Sequence, residues 1–153
     1  MDGEESECLM STERNKQLAF RFFQELMSMG NTDVADELVG PDFQPLEEEL
    51  EPGTEGIRAY VDAYHAGFPD LRYDVHDMVA EGNQVAVRWT MTGLHEGEFK
   101  GISPTSEQIS IPGLALFYVQ EDKLSQGWLI YDHMALYEKL GAFPMKERVA
   151  EAE

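Results

Sequence analysis

A chain of 153 residues, 42% of them hydrophobic, has the length and apolar content for one domain with one core, and is short for two. Its 11 Lys and Arg against 30 Asp and Glu leave a formal charge of −19, which disfavours nucleic acid and anionic membrane as partners. Such an acidic surface suits a protein that stays hydrated in concentrated salt; a halophile's cytoplasm is the leading explanation, beside that of an ordinary acidic protein.

The single cysteine, Cys8, permits no internal disulfide and points to no oxidising compartment. The first residues lack the basic-then-apolar pattern of a signal peptide, and no apolar run reaches the roughly 18 residues of a membrane span, so the expected location is cytoplasmic. Residues 1–10 read as an acidic, disordered leader and residues 144–153 as a tail without apolar partners, leaving 11–143 as the domain.

From Thr12 to Met29, the residues Leu18, Phe22, Leu26 and Met29 recur at helical spacing with Phe23 beside them, after a Ser11 or Thr12 cap and before Gly30 as a stop. A short second helix fits Thr32–Val39, ended by Gly40-Pro41, and the acidic run Glu47–Glu49 with Glu51 reads as a solvated loop. Gly53-Thr54 opens a third helix in which Ile57, Tyr60, Val61, Tyr64 and Phe68 form one stripe, before Pro69 stops it.

After Pro69 the hydrophobic period falls to two. Leu71, Tyr73, Val75 and Val79 form one strand, and Val85, Val87, Trp89 and Met91 a second, with His95 in phase with Trp89 if no bulge intervenes. Ile109, Ile111, Ala115, Phe117 and Val119 give a third strand. Leu124–His133 gives the last, followed by a short helix, Met134–Leu140, closed by Gly141. Helices first and an antiparallel meander afterwards make the fold class α+β, and strands carrying Gly93, Gly113 and Gly127 can bend around a pocket.

Asp132 is the first chemical candidate. Simple alternation places it on the same face as Leu124, Gln126, Trp128 and Ile130, which would carry it inward, where desolvation favours its neutral form and lets it take and return a proton. The competing reading makes it the cap of the helix beginning near Met134. His95 is the candidate partner, polarising a carbonyl or relaying a proton, although its place after Gly93-Leu94 near a strand end reads first as a surface or loop histidine. Tyr60 and Tyr64 share a helical face and could offer hydroxyls to an oxyanion, although at that spacing such tyrosines are more often core residues with satisfied tips. Trp89, Phe99, Phe117 and Trp128 are candidates for an apolar lining. His65, His76, His95 and His133 have no chelating spacing, no phosphate loop occurs, and Ser103-Pro104-Thr105-Ser106 reads as a turn, so neither metal nor cofactor is expected.

Gly56-Ile57-Arg58-Ala59-Tyr60, Ala66-Gly67-Phe68-Pro69-Asp70-Leu71-Arg72-Tyr73, Val85-Ala86-Val87-Arg88-Trp89-Thr90, Thr92 to Phe99, Gly101 to Thr105, Gly127-Trp128 and Asp132 together resemble the SnoaL-like polyketide cyclase family over roughly residues 14–142. The resemblance implies the nuclear-transport-factor-2-like cone, a curved mixed or antiparallel sheet with three N-terminal helices around an interior pocket, often as a homodimer. It also implies a cofactor-free intramolecular aldol closure of a polyketide-type ester, with a carboxylate at the position of Asp132 as acid and base. Two companions common among relatives are replaced here, by Pro45-Leu46 after the second helix and by Gln126-Gly127 before the tryptophan.

The expected function is therefore binding of a small apolar carbonyl compound, with ester cyclase or isomerase chemistry through Asp132, and His95 or a tyrosine steadying the enolate. A non-catalytic ligand-binding or dimerisation domain is the alternative. Epoxide hydrolysis, a third reading, needs an arginine between two carboxylates, and Arg88 alternates to the face opposite Trp89.

Overall fold

The change of hydrophobic period at Pro69 is where helices give way to strands. The computed structural model describes residues 2–44 and 50–142; the acidic run Glu47–Glu49 and the tail from residue 144 onward lie outside the described residues. Helix α1 spans Asp2–Arg21, beginning upstream of the Ser11 or Thr12 start that the capping pattern predicts. It passes into a π-helical stretch, Phe22–Ser28. Bonding from i to i+5 rephases the side chains, as the Met29 N–H to Gln24 carbonyl bond shows. Phe22, Phe23, Leu26 and Met27 are consequently all buried, while Met29, expected on the stripe, is 71% exposed.

A 3₁₀ turn at Thr32–Val34 leads into α2, Ala35–Leu38. Val39 then makes an isolated parallel bridge to Leu124, and the Gly40 N–H donates to the Leu124 carbonyl at 2.9 Å. Helix α3, Thr54–Gly67, buries Ile57, Tyr60, Val61 and Tyr64, as its periodicity predicts.

Strands β1 (Arg72–Glu81), β2 (Gln84–Leu94), β3 (Gln108–Gln120) and β4 (Lys123–Tyr131) form one curved, unclosed antiparallel sheet in the order β1-β2-β3-β4, and α4 (His133–Lys139) follows. The fold is α+β, as expected. On the inner face, Val75, Trp89, Gly113 and Tyr131 make one cross-strand row, and Met78, Val87, Ala115 and Leu129 the next. Helix α1 contributes Ala19, the π-helical stretch Phe22, Phe23 and Leu26, and α3 Tyr60 and Tyr64 to the core that these rows share.

Two bulges decide which side chains reach that core. Register shifts between Val75 and Asp77 on β1, and on β4 between the pairs Tyr118–Gln126 and Val119–Leu124. Each adds one unpaired residue and inverts the alternation beyond it. Val79 therefore lies outward, 67% exposed, although Tyr73 on the same strand is buried. On β4, Leu124 is buried but Trp128 and Ile130 are 50% and 66% exposed, and the inward positions pass to Gly127, Leu129 and Tyr131. β2 has no bulge, and Trp89, Met91 and His95 are all buried in phase.

Candidate functional site: donors inside an aromatic core

Trp89 sits at the centre of the inner face, with its ring against Phe23, Tyr73 and Tyr131 at centroid distances of 5.8, 5.0 and 6.2 Å. Its indole lies across β3 because residue 113 is glycine: a Cβ there would stand 2.3 Å from the Trp89 Cη2. The indole Nε1 is buried and has no hydrogen-bond partner among the described residues. A buried donor left in this state costs on the order of 1–3 kcal/mol.

Tyr60, Tyr64, Tyr73 and Tyr131 form a linked cluster, of which the Tyr73 and Tyr131 rings pack on the indole. Tyr64 and Tyr131 are hydrogen-bonded to each other through their hydroxyls. Tyr60 stacks on Tyr64 at 4.5 Å. Burial first, and then the neighbouring Tyr60 and Tyr131, push the Tyr64 phenol far above its ordinary range. Tyr73 is raised well above the ordinary value by burial, by Tyr60 and Tyr131, and by hydrogen bonding with Tyr60. The Tyr64 and Tyr73 hydroxyls are therefore neutral donors and acceptors at any physiological pH.

His95, just beyond β2, is completely buried, the one residue of the buried polar and charged class among the described residues. Its Nδ1 lies 2.9 Å from the Thr105 Oγ1 and accepts the Thr105 backbone N–H at 3.2 Å. The Thr105 hydroxyl in turn accepts the Glu107 N–H. Phe68 lies 5.3 Å from the imidazole and Phe99 5.2 Å from Phe68, while Nε2 is buried with no partner among the described residues. The segment carrying Phe99 is pressed onto the end of α3, where Glu96 and Gly97 donate their N–H groups to the Gly67 carbonyl.

Asp132 is elsewhere. It is exposed and is the N-cap of α4, its Oδ1 accepting the Ala135 N–H at 2.9 Å. The inward placement that simple alternation predicts fails because the β4 bulge inverts the face: Tyr131 takes the interior and Asp132 the rim. Asp132 borders a groove of about 480 Å³ on the outer side of the sheet, with Arg88, Pro112, Leu114 and Ile130. Arg88 pairs there with Asp77 at 2.6 Å. The structure thus does not bring Asp132 and His95 together.

Of the other expected lining residues, Tyr60, Tyr64, Trp89, Phe99 and Phe117 are buried in the aromatic interior, and Trp128 stands on the outer face against Tyr118. Tyr73, Tyr131 and Thr105 are the residues that the sequence reading missed. Tyr73 was legible as an inward strand position, whereas Tyr131 required knowledge of the bulge and Thr105 the return of the 95–107 connection onto His95. Among the described residues, no group of three or more His, Cys, Asp or Glu side chains could hold a metal ion. No helix among them is long and apolar enough to cross a membrane.

A four-stranded antiparallel sheet curved over three helical segments, with polar tips buried in an aromatic interior, defines the class of nuclear-transport-factor-2-like α+β domains. The chain belongs to the SnoaL-like polyketide cyclase family, whose model matches residues 17–140. A protein described as a polyketide cyclase, from Acidithiobacillus ferrooxidans, is 26% identical with a TM-score of 0.74, over 84% of this chain and 94% of that one. TsrD from Streptomyces laurentii is 25% identical with a TM-score of 0.78, over 85% and 96% of the two chains. A protein described as a SnoaL-like polyketide cyclase, from Jannaschia sp. CCS1, is 25% identical with a TM-score of 0.75, over 87% and 95%. No curated protein sequence matches the chain.

Proposed function

We propose that this domain binds a small, mostly apolar molecule bearing a carbonyl or enol oxygen, with the oxygen held by donors of the interior. The observation that carries this reading is the buried, unpartnered Nε1 of Trp89, whose indole packs against Tyr73 and Tyr131 of a buried tyrosine cluster. A ligand oxygen there satisfies a donor that the protein leaves unpaired, and the surrounding Phe23 and Phe117 rings supply the apolar contact. One neutral hydrogen bond is worth about 0.5–1.5 kcal/mol net, roughly a twofold to twelvefold preference for a ketone over the hydrocarbon of the same shape. The test is a fluorescence titration of Trp128→Phe, which leaves Trp89 as the only indole, with 1-tetralone and with tetralin. Saturable binding with a preference for the ketone is expected; equal binding of the two overturns the role of the donors.

A second reading, cofactor-free cyclase or isomerase chemistry with Asp132 as acid and base, is favoured by the family and by the relatives described as polyketide cyclases. It requires the Asp132 carboxylate to leave its cap on α4 and reach the substrate. Asp132→Asn then abolishes turnover of a polyketide-type ester with the fold intact, and unchanged turnover sinks it.

We also infer a homodimer through the outer face of the sheet. The cross-strand rows Val79-Ala86-Leu116-Trp128 and Asp77-Arg88-Leu114-Ile130 face outward, and Leu114, Trp128, Ile130 and Val79 are at least half exposed there. Such an apolar patch marks an interaction surface, and a chain of charge −19 offers it no basic partner surface but suits a self-complementary apolar contact with charge at the rim. Sedimentation of Leu114→Glu as a monomer, against a dimeric parent, is the expected result; a monomeric parent overturns it.

A further inference from the structure

His95 is buried at the far end of the inner face from Trp89, six residues along β2 and its extension, about 20 Å at strand spacing. Phe68 lies against its ring, and Phe99 against Phe68. A backbone N–H can only donate, so the Thr105 N–H at 3.2 Å makes Nδ1 an acceptor. The Thr105 hydroxyl accepts the Glu107 N–H, which turns its own proton toward the same Nδ1, 2.9 Å away. Both ties leave the neutral ring's proton on Nε2. That Nε2 is buried and unpartnered.

We propose that Thr105 is a positioning residue that locks His95 as the Nε2–H tautomer, making the imidazole a second, donor-only contact for a ligand carbonyl or enolate oxygen. The proposal rests on the pocket reading above and deepens it. It assigns the site a chemical class: an acceptor oxygen on an apolar frame matches Nε2–H, whereas a ligand hydroxyl or ammonium proton would meet another donor. The surroundings of Phe68 and Phe99 exclude competing water, which strengthens a single well-placed bond. The two ends of the 95–107 connection are also tied to each other. The Ser106 N–H donates to the His95 carbonyl and the His95 N–H to the Glu107 carbonyl, each at 2.9 Å, so Thr105 is held in register with the ring it faces.

Long-range ¹H–¹⁵N correlation of the full chain at pH 8 reads the tautomer directly. The expected pattern for His95 is a protonated Nε2 and a bare Nδ1; a protonated Nδ1 overturns the proposal. In Thr105→Val the backbone donor remains and the closer hydroxyl is lost, so the spectrum shifts toward a mixture of tautomers, and Thr105→Ser restores the original pattern. A role confined to holding the loop leaves the tautomer unchanged in both variants.

With about 20 Å between the two donors, one tetralone carbonyl meets only one of them at a time; 1-tetralone is expected to move the His95 Nε2–H signal where tetralin does not, as a binding event separate from that at Trp89, with half-saturation in Thr105→Val about threefold to tenfold higher. Movement of the Trp89 Nε1–H signal alone overturns the His95 contact and leaves the pocket reading standing. Movement of neither signal overturns both.

Discussion

Replacing Asp132 separates its structural role from any chemical one. Its Oδ1 accepts the Ala135 N–H, the third helical position of α4, in the geometry of an N-cap. Alanine removes that bond and costs about 1 kcal/mol, within a range of roughly 0.5–2. Asparagine keeps an acceptor in the same place and loses only the charge at the helix N-terminus, a few tenths of a kcal/mol for so exposed a carboxylate. For a chain of this length, 1 kcal/mol lowers the Tm by about 2–4 °C. Leu136 and Leu140 are both buried and keep α4 docked without its cap, so the loss remains local. Urea unfolding followed by circular dichroism, checked by calorimetry, is expected to rank the parent just above Asp132→Asn and well above Asp132→Ala, with the same m-value. Equal stability of all three proteins refutes the cap. A large loss in asparagine, as large as in alanine, would mean that the charge itself is held by the fold, in conflict with its exposed position.

Three further perturbations test the interior. Gly113→Ala sets a Cβ 2.3 Å from the Trp89 Cη2 and Cζ2, so the indole must move, and chemical denaturation is expected to show a loss of about 1–3 kcal/mol; a loss below about 0.5 refutes the close approach. Tyr64→Phe and Tyr131→Phe each remove the bond between the two hydroxyls, so a double-mutant cycle is expected to give a favourable coupling of about 1 kcal/mol; additive losses refute the pairing. The raised phenols of Tyr64 and Tyr73 remain protonated in the folded state at a pH where the unfolded chain ionises. Their contribution is complete below the unfolded value of about 10 and is lost as pH rises beyond it, by about 1.4 kcal/mol per pH unit for each tyrosine. Phenolate absorbance of these two residues is expected to appear only with loss of the folded circular dichroism signal; titration of all six tyrosines while the fold persists refutes the burial.

The order of elements was legible because it depends on hydrophobic period, and period survives small irregularities. The stripe of α3, with Ile57, Tyr60, Val61 and Tyr64, and the alternation of β2 through Trp89 to His95 need no knowledge beyond their own residues. What could not be read is phase. A bulge costs one residue and leaves both flanking runs alternating perfectly, so Leu124 and Ile130 look equivalent in sequence and face opposite sides in the sheet. The π-helical stretch does the same to a helix: it exchanges Met29 for Met27 in the core without altering the composition of the stripe. Asp132 was misplaced by inheriting the phase of Leu124, and Tyr131 was overlooked for the same reason. Thr105 illustrates a different limit, since a turn sequence does not announce which ring its hydroxyl meets ten residues earlier.

The inventory of the interior bears on which chemistry the site can support. Removing a proton next to a carbonyl takes a base within hydrogen-bond reach of it, and no carboxylate is buried among the described residues. Tyr64 and Tyr73 are held neutral by burial and by their tyrosine neighbours, so they serve as donors and are poor bases. The remaining ionisable group, His95, offers its lone pair to Thr105 and keeps a proton on the other nitrogen. Every polar group thus placed favours a ligand oxygen that carries or gains negative charge. On the proposed reading, such an interior suits the binding of a carbonyl compound or its enolate and supplies no base to generate the enolate. If turnover occurs, its base must come from the rim, and Asp132→Asn is then decisive in a way that no interior substitution can be: it removes the base while leaving the donors, so a bound enolate analogue keeps its affinity as turnover disappears. Loss of both together would place the carboxylate in binding rather than in proton transfer.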